Sequence, residues 1–374
     1  MPHKLTFNPK RITSFLGVAT LALLANSCGH TEASPSRAPA GMDVVMKAIH
    51  SYGSGHAGLL SPGSSAKPDE PDELYSPRIK NLLVQEDFAQ LEKIAHQNRI
   101  EKGRLLGGVW KTVGFYNGTG MPVFVGMPND SDYADQIARE KRWIAANPDS
   151  TAARLSLAYL YLNYANLARG PGVADTVTDS QWGLFYDRTS QAKALLLEAS
   201  VLKEKDPFWF HTMQLVAHNE GWDQHDAREL FDEAVAFEPS YYHYYREYAR
   251  YLLPEWYGNP GDVLAFAKET QKRVPEPNGS ILYFRIVSAL VCYCKPELED
   301  LPKVDYLTFR RGYDNVSRFE GTADLNANRL AFMATIVRDK PSAREAFAAI
   351  KSMDKWTWQE EEVFNDAREW ANSD

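Results

Sequence analysis

Ala227-Arg228-Glu229-Leu230-Phe231-Asp232-Glu233-Ala234-Val235-Ala236-Phe237-Glu238-Pro239 is the stretch that decides the fold. Ala227, Phe231 and Ala234 recur at steps of four and three, so they share one face of a helix. Two alanines on that face let a neighbouring helix approach closely, and the phenylalanine fills the space between them. Pro239 then ends the helix, because it lacks an N–H and its ring clashes with the preceding turn. Prolines end helix pairs at Pro207 and Pro275 as well, giving intervals of 32 and 36 residues. Such a period marks a repeated helix–turn–helix unit, and one unit cannot bury its apolar face alone. The prediction is an all-α array of stacked antiparallel helix pairs.

The same reading extends outward. Arg78 to Arg99 sets Ile79, Leu83, Val84, Phe88, Leu91 and Ala95 at three- and four-residue steps, which predicts one amphipathic helix. Asp130 to Ala146, Thr151 to Ala168 and Trp182 to Lys203 read likewise. Further helices are expected over 208–220, 224–237, 241–253, 261–273 and 279–293, with four more between Tyr306 and Trp370. Residues 105–127 depart from the pattern. Gly107-Gly108, Gly114, Asn117-Gly118 and Gly120 interrupt any helical spacing, which predicts a small hairpin or an extended loop packed on the helices.

The Ala–Phe–Ala–Pro spacing resembles the second helix of the tetratricopeptide repeat, whose period is roughly 34 residues. The first-helix signature of that repeat (Trp, Leu-Gly and Tyr) is absent from the preceding helix, so a nonrepetitive helical bundle is the alternative. A second resemblance is carried by Gly107-Gly108-Val109-Trp110-Lys111 with Phe115-Tyr116, by the run from Ala168 to Val177, and by Asp206-Pro207. Gly221-Trp222-Asp223, Phe231 to Val235 and Leu252-Leu253-Pro254-Glu255-Trp256-Tyr257-Gly258 complete it. Together these phrases resemble an uncharacterised bacterial family, the domain of unknown function numbered 4034, over residues 78–290. The resemblance implies a tetratricopeptide-like fold and transfers no catalytic residue.

The N-terminus reads as an address. Lys4, Lys10 and Arg11 precede an uncharged run from Ile12 to Ala25, too short to span a bilayer comfortably and shaped like a secretory signal. Leu24-Ala25-Asn26-Ser27-Cys28-Gly29 resembles a bacterial lipobox, with Cys28 as the lipidated residue. Asn26 is unusual there, and ordinary cleavage after Ala25-x-Ser27 is the competing reading. Both imply export, with Gly29 pointing to the outer membrane and a periplasmic or secreted chain as the alternative. Residues 28–77, rich in Ser, Pro and Gly, read as a flexible tether in which Met42 to Tyr52 has the pattern of a brief amphipathic helix. The expected division is therefore a signal peptide at 1–27, a tether at 28–77 and a helical body at 78–374.

A formal net charge of -8 argues against a nucleic-acid binder, which needs clustered Lys and Arg to neutralise phosphates. Three cysteines make no disulfide framework, and Cys292 and Cys294, two apart on an expected helix, point to different faces. The sequence carries no phosphate-binding loop, dinucleotide fingerprint, zinc-protease motif or nucleophile elbow. His211, His218 and His225 recur every seven residues near Asp223 and Asp226, a pattern to be weighed as a metal site against polar residues on a repeat surface.

Two stretches invite a binding reading. Tyr241, Tyr245 and Tyr248 fall on one helical stripe and suit packing, which leaves Tyr244 and Tyr251 to face outward or toward a groove, with Trp256 and Tyr257 following. The connection from Arg169 to Ser180 is long for a helix-pair turn and holds Asp175 and Thr176 near Trp182. Its structural reading is an insertion ended by a cap at Thr178 or Asp179. The expected function is a lipid-anchored envelope module that binds a protein or peptide, needs no cofactor, and is more a binder than an enzyme. An enzyme or small-ligand receptor acting on envelope glycan or peptide fragments is the rival.

Overall fold

The computed structural model describes residues 41–54, 68, 70–172, 174–293 and 300–373, with the side chains of 292 and 293 excluded. Among the described residues it holds seventeen α-helices and no strand. They run α1 (Met42–Gly53), α2 (Asp72–Val84), α3 (Phe88–Glu101), α4 (Lys111–Thr119), α5 (Asp130–Ala146), α6 (Thr151–Arg169), α7 (Asp179–Ser200), α8 (Phe208–Glu220) and α9 (Gln224–Phe237). Then follow α10 (His243–Tyr251), α11 (Asp262–Arg273), α12 (Asn278–Tyr293), α13 (Tyr306–Glu320), α14 (Asp324–Ile336), α15 (Lys340–Ala349), the short α16 (Lys355–Trp358) and α17 (Glu361–Asn372).

Side-chain caps set several of the helix starts. Asn129 and Thr178 form capping boxes with Asp132 and Gln181, while Ser150, Asp223, Asp305 and Asp339 each accept a backbone N–H two or three residues into their helices. Gly221 ends α8 in the left-handed conformation, φ 65°, which a residue with a Cβ adopts only under strain.

The helices stack as pairs. One layer is a row in which α4, α6, α8, α10, α12 and α14 each pack against the next, and α7, α9, α11, α13 and α15 pack on that row as their partners. The deciding stretch behaves as expected: Ala227, Phe231 and Ala234 are buried on α9. Phe231 stacks on Tyr248 at 4.7 Å and meets Tyr245 and Phe266 edge-on at 5.3 and 5.2 Å, joining α9, α10 and α11.

Four expectations are corrected. The helix over 78–99 is two, α2 and α3, broken where Glu86 turns left-handed (φ 56°) and Asp87 caps the next turn. Neither a Gly nor a Pro marks that break. Residues 111–119, within the glycine-rich stretch, form helix α4 rather than a hairpin or loop. A Cβ on Gly114 would lie 2.7 Å from the Asp72 carboxylate, and one on Gly118 would lie 2.5 Å from the Ser76 carbonyl. Those glycines let α4 press against α2, so they serve close packing rather than chain reversal. Two parts of the stretch 28–77, expected as a flexible tether, are helical, since α2 begins at Asp72 and α1 covers Met42–Gly53. Val45, Ile49 and Tyr52 of α1 are buried against α7 and α9, with Tyr52 stacked on Trp209 at 4.3 Å. Burying those three side chains is worth several kcal/mol, about 1.5–3 each, enough to hold a short helix that propensity alone would not. The fourth correction concerns Tyr244 and Tyr251 and is given below.

Candidate functional site

Residues of α6, α7, α8 and α10 and of the turn after α10 gather around His218. Helix α8 carries His211 and His218 two turns apart, both buried, and α10 carries His243, Glu247 and Arg250 on one face by the same three- and four-residue arithmetic. Arg169 is the last residue of α6, and Trp182 and Tyr186 stand on the first two turns of α7. The turn after α10 folds back so that the Tyr257 hydroxyl donates to the His218 carbonyl at 2.7 Å, while Gln224 donates to the Tyr257 carbonyl at 2.7 Å.

The result is an aromatic and cationic cluster. The His218 ring meets Trp256 at 4.2 Å and Tyr257 at 5.7 Å. Arg250 lies over the Trp256 ring at 5.6 Å, Arg169 over the Trp182 ring at 5.6 Å, and Trp182 stacks on Tyr186 at 5.7 Å. Arg169 also donates to the Gly172 carbonyl at 3.2 Å, where the negative end of α6 favours a cation. Trp182, Trp256 and Tyr257 are half-buried and Tyr186 is 49 % exposed, so aromatic faces and edges remain open to solvent.

Electrostatics follow from burial. His218 is held well below the ordinary histidine value, first by burial and then by Arg250 and Arg169. Its Nε2 is buried with no hydrogen-bond partner. Burial pushes Arg169 down, and Arg250 adds to that. His211 is lowered by burial, with Glu247 opposing and Arg246 and Arg250 reinforcing; His243 is lowered by burial, with His211 and Arg246 next. Arg250 pairs with Glu247 at 3.5 Å. Burial raises the Tyr257 hydroxyl to about 12, so it stays protonated as a donor.

Of the residues singled out from sequence, Arg169, Trp182, Trp256 and Tyr257 come together here. Asp175 and Thr176 are exposed on the short 3-10 turn Ala174–Thr176, and Thr178 closes that connection with its capping box. Tyr244 and Tyr251 do not face a groove. Both are buried, with hydroxyls donating to the Pro207 and Trp222 carbonyls at 2.8 and 2.7 Å. Helices α8, α9, α11 and α12 all pack on α10, leaving little of it open. Cys28 and Cys294 lie outside the described residues, and of Cys292 only the backbone is described.

Sequence reading missed Arg250 and Tyr186 and cast His218 as a candidate metal ligand. The seven-residue spacing of His211 and His218 does place them on one face of α8, but His225 belongs to α9. Asp223, His225 and Asp226 are the one group of three potential ligands among the described residues. Asp223 spends its carboxylate on the Asp226 N–H at 2.9 Å as the α9 cap, and His225 is exposed, which is ordinary helix-start chemistry.

No family model matches the chain, and no curated protein and no solved structure does either.

Proposed function

We propose that this chain is an exported envelope protein, anchored by lipid at Cys28, whose helix-pair array binds a protein or peptide at the cluster around His218. One observation carries the reading. Arg169, at the end of α6, and Trp182, on the first turn of α7, converge with Trp256 and Tyr257, from the turn after α10. Flat aromatic side chains with polar tips, held rigid by packing and partly open to solvent, are the groups that anchor peptide partners at low entropic cost. Helical repeats supply such surfaces by placing side chains from several helices side by side. The export signal and the likeness to the family numbered 4034 support the envelope setting and the tetratricopeptide-like ancestry. No described helix is long and apolar enough to cross a membrane, which accords with attachment through Cys28.

Photo-cross-linking in intact cells tests the site. Benzoylphenylalanine placed at Tyr186 of the full chain is expected to give one discrete adduct. The same group at Val201, 84 % exposed at the far end of α7, is expected to give none. Equal labelling at the two positions, or none at either, would remove the cluster as a binding site. Cys28→Ser is expected to move the chain from the membrane to the soluble fraction; unchanged fractionation would remove the anchor.

A further inference from the structure

Helix α1 stands apart from the alternation of pairs. The helix after it, α2, packs on α3 and α4, whereas α1 lies across α7 and α9, far along the chain. It bears one buried row, Val45, Ile49 and Tyr52, while Asp43, Val44, Lys47 and Ser51 on its other side are exposed. Tyr52 is the main hold. Its ring stacks on Trp209 at 4.3 Å and meets Phe210 edge-on at 5.5 Å, and Lys205 lies over it at 4.6 Å. Its hydroxyl donates to the Asp206 carbonyl at 3.2 Å and accepts from the Asp206 N–H at 2.7 Å. His50 pairs with Glu229 of α9 at 2.8 Å. An amphipathic helix that seats spaced side chains of one face in a groove is the way a helical ligand binds. Here the ligand belongs to the same chain.

The ends of α1 add little to that hold. Gly41 at its start is left-handed and supplies no side-chain cap. Its 12 residues are too few for a helix to persist unaided, so α1 is helical because it is docked. The burial that docks it is set against the entropy of ordering every residue it contains. An element held along one row opens locally while the rest of a fold stays closed. Resting on the lipid-anchor reading above, we infer that α1 is a releasable strap that sets how far the helical body reaches from the membrane. With α1 docked, the body hangs from Met42, and the chain from Cys28 to that residue spans at most about 50 Å. With α1 released, it hangs from Asp72, and the span from Cys28 grows to at most about 160 Å. A partner within the shorter span is met with α1 docked. One beyond it is met after Tyr52 leaves Trp209.

Hydrogen exchange on the full chain, read by mass spectrometry, tests release. Amides of Met42–Gly53 should exchange at least about tenfold faster than those of the buried α12. Tyr52→Ala should speed α1 further and leave α12 and α13 as they were. Equal protection of α1 and α12 in the unaltered chain overturns the strap, as does a Tyr52→Ala loss spread over all three helices, because α1 would then be an integral part of the body. Ile49→Ser, on the same buried row, replaces Tyr52→Ala if circular dichroism shows that the body is disturbed. Energy transfer reads the reach. The lipidated full chain, with a donor dye at the exposed Leu307 of α13, is bound to vesicles of phosphatidylethanolamine and phosphatidylglycerol that hold an acceptor lipid. Transfer should be lower for Tyr52→Ala than for the unaltered chain. Equal transfer from two retained chains overturns the strap alone. An unaltered chain that the vesicles do not retain overturns the anchor, and the strap's reach falls with it.

Discussion

Helix α10 has two faces that do opposite work. On one, Tyr245 and Tyr248 close against Phe231 and Phe266 in a seam of rings 4.7 to 6.5 Å apart, between α9 and α11. On the other, His243, Glu247 and Arg250 stand among histidines and arginines from α6 and α8. The seam is apolar and joined by contacts that add stability in proportion to area removed from water. The polar face buries histidine nitrogens that make no hydrogen bond, an arrangement that costs stability. Under the binding reading proposed above, this face is kept for a ligand rather than for the fold.

The comparison can be broken first at the seam. Phe231→Ala should destabilise the chain by about 3–5 kcal/mol, because it deletes the ring that ties three helices and leaves a cavity; equilibrium urea denaturation measures it. A loss under about 1 kcal/mol would mean the seam is not where the repeat is held together.

The polar face is tested next through acidity. His211, His218 and His243 are all held below the ordinary value of 6.5 by burial. A depressed folded-state value means that stability is fully present above 6.5 and is lost as pH falls below it, since the unfolded chain takes up protons the folded one refuses. Each histidine contributes at most about 1.4 kcal/mol per pH unit to that slope. Unfolding free energies at about pH 7.5, 6.5 and 5.5 should decline on acidification, and the triple variant with glutamine at the three positions should flatten the curve. An identical slope in the variant would contradict burial of neutral rings.

The smallest effect belongs to the flank between the two faces. Tyr251→Phe removes one hydroxyl and leaves the Trp222 carbonyl without that donor, at a cost of about 1 kcal/mol. A comparable change in ligand affinity instead of stability would return Tyr251 to the surface role expected from its sequence position.

That expectation failed for a definable reason. A helical wheel separates the stripes of α10 correctly, but it does not say how many neighbours surround the helix, and packing by α8, α9, α11 and α12 buried Tyr244 and Tyr251 too. Where a boundary is written in caps and prolines, as at Asn129, Ser150, Asp223 and Pro239, the sequence reading and the helices agree within a residue or two. The break at Glu86 and the helix at 111–119 were illegible because each depends on a contact: a non-glycine turn fixed by tertiary packing, and glycines that admit α2. The site divides the same way. Arg169, Trp182, Trp256 and Tyr257 lie in or beside conspicuous connections, whereas Arg250 and Tyr186 look like ordinary helix-surface residues until α6, α7, α8 and α10 bring them to His218.

The most direct test of the division between a structural seam and a binding face is to measure stability and ligand affinity on the same two variants, Phe231→Leu and Tyr186→Ala, using the partner that the Tyr186 cross-link identifies. The account predicts that Phe231→Leu lowers stability by about 1 kcal/mol or more with affinity unchanged. It predicts that Tyr186→Ala weakens binding several-fold, about 1 kcal/mol, with stability changed by less than about 0.5 kcal/mol. Two variants that lose stability and affinity in parallel would contradict it, because the cluster would then be one more part of the core.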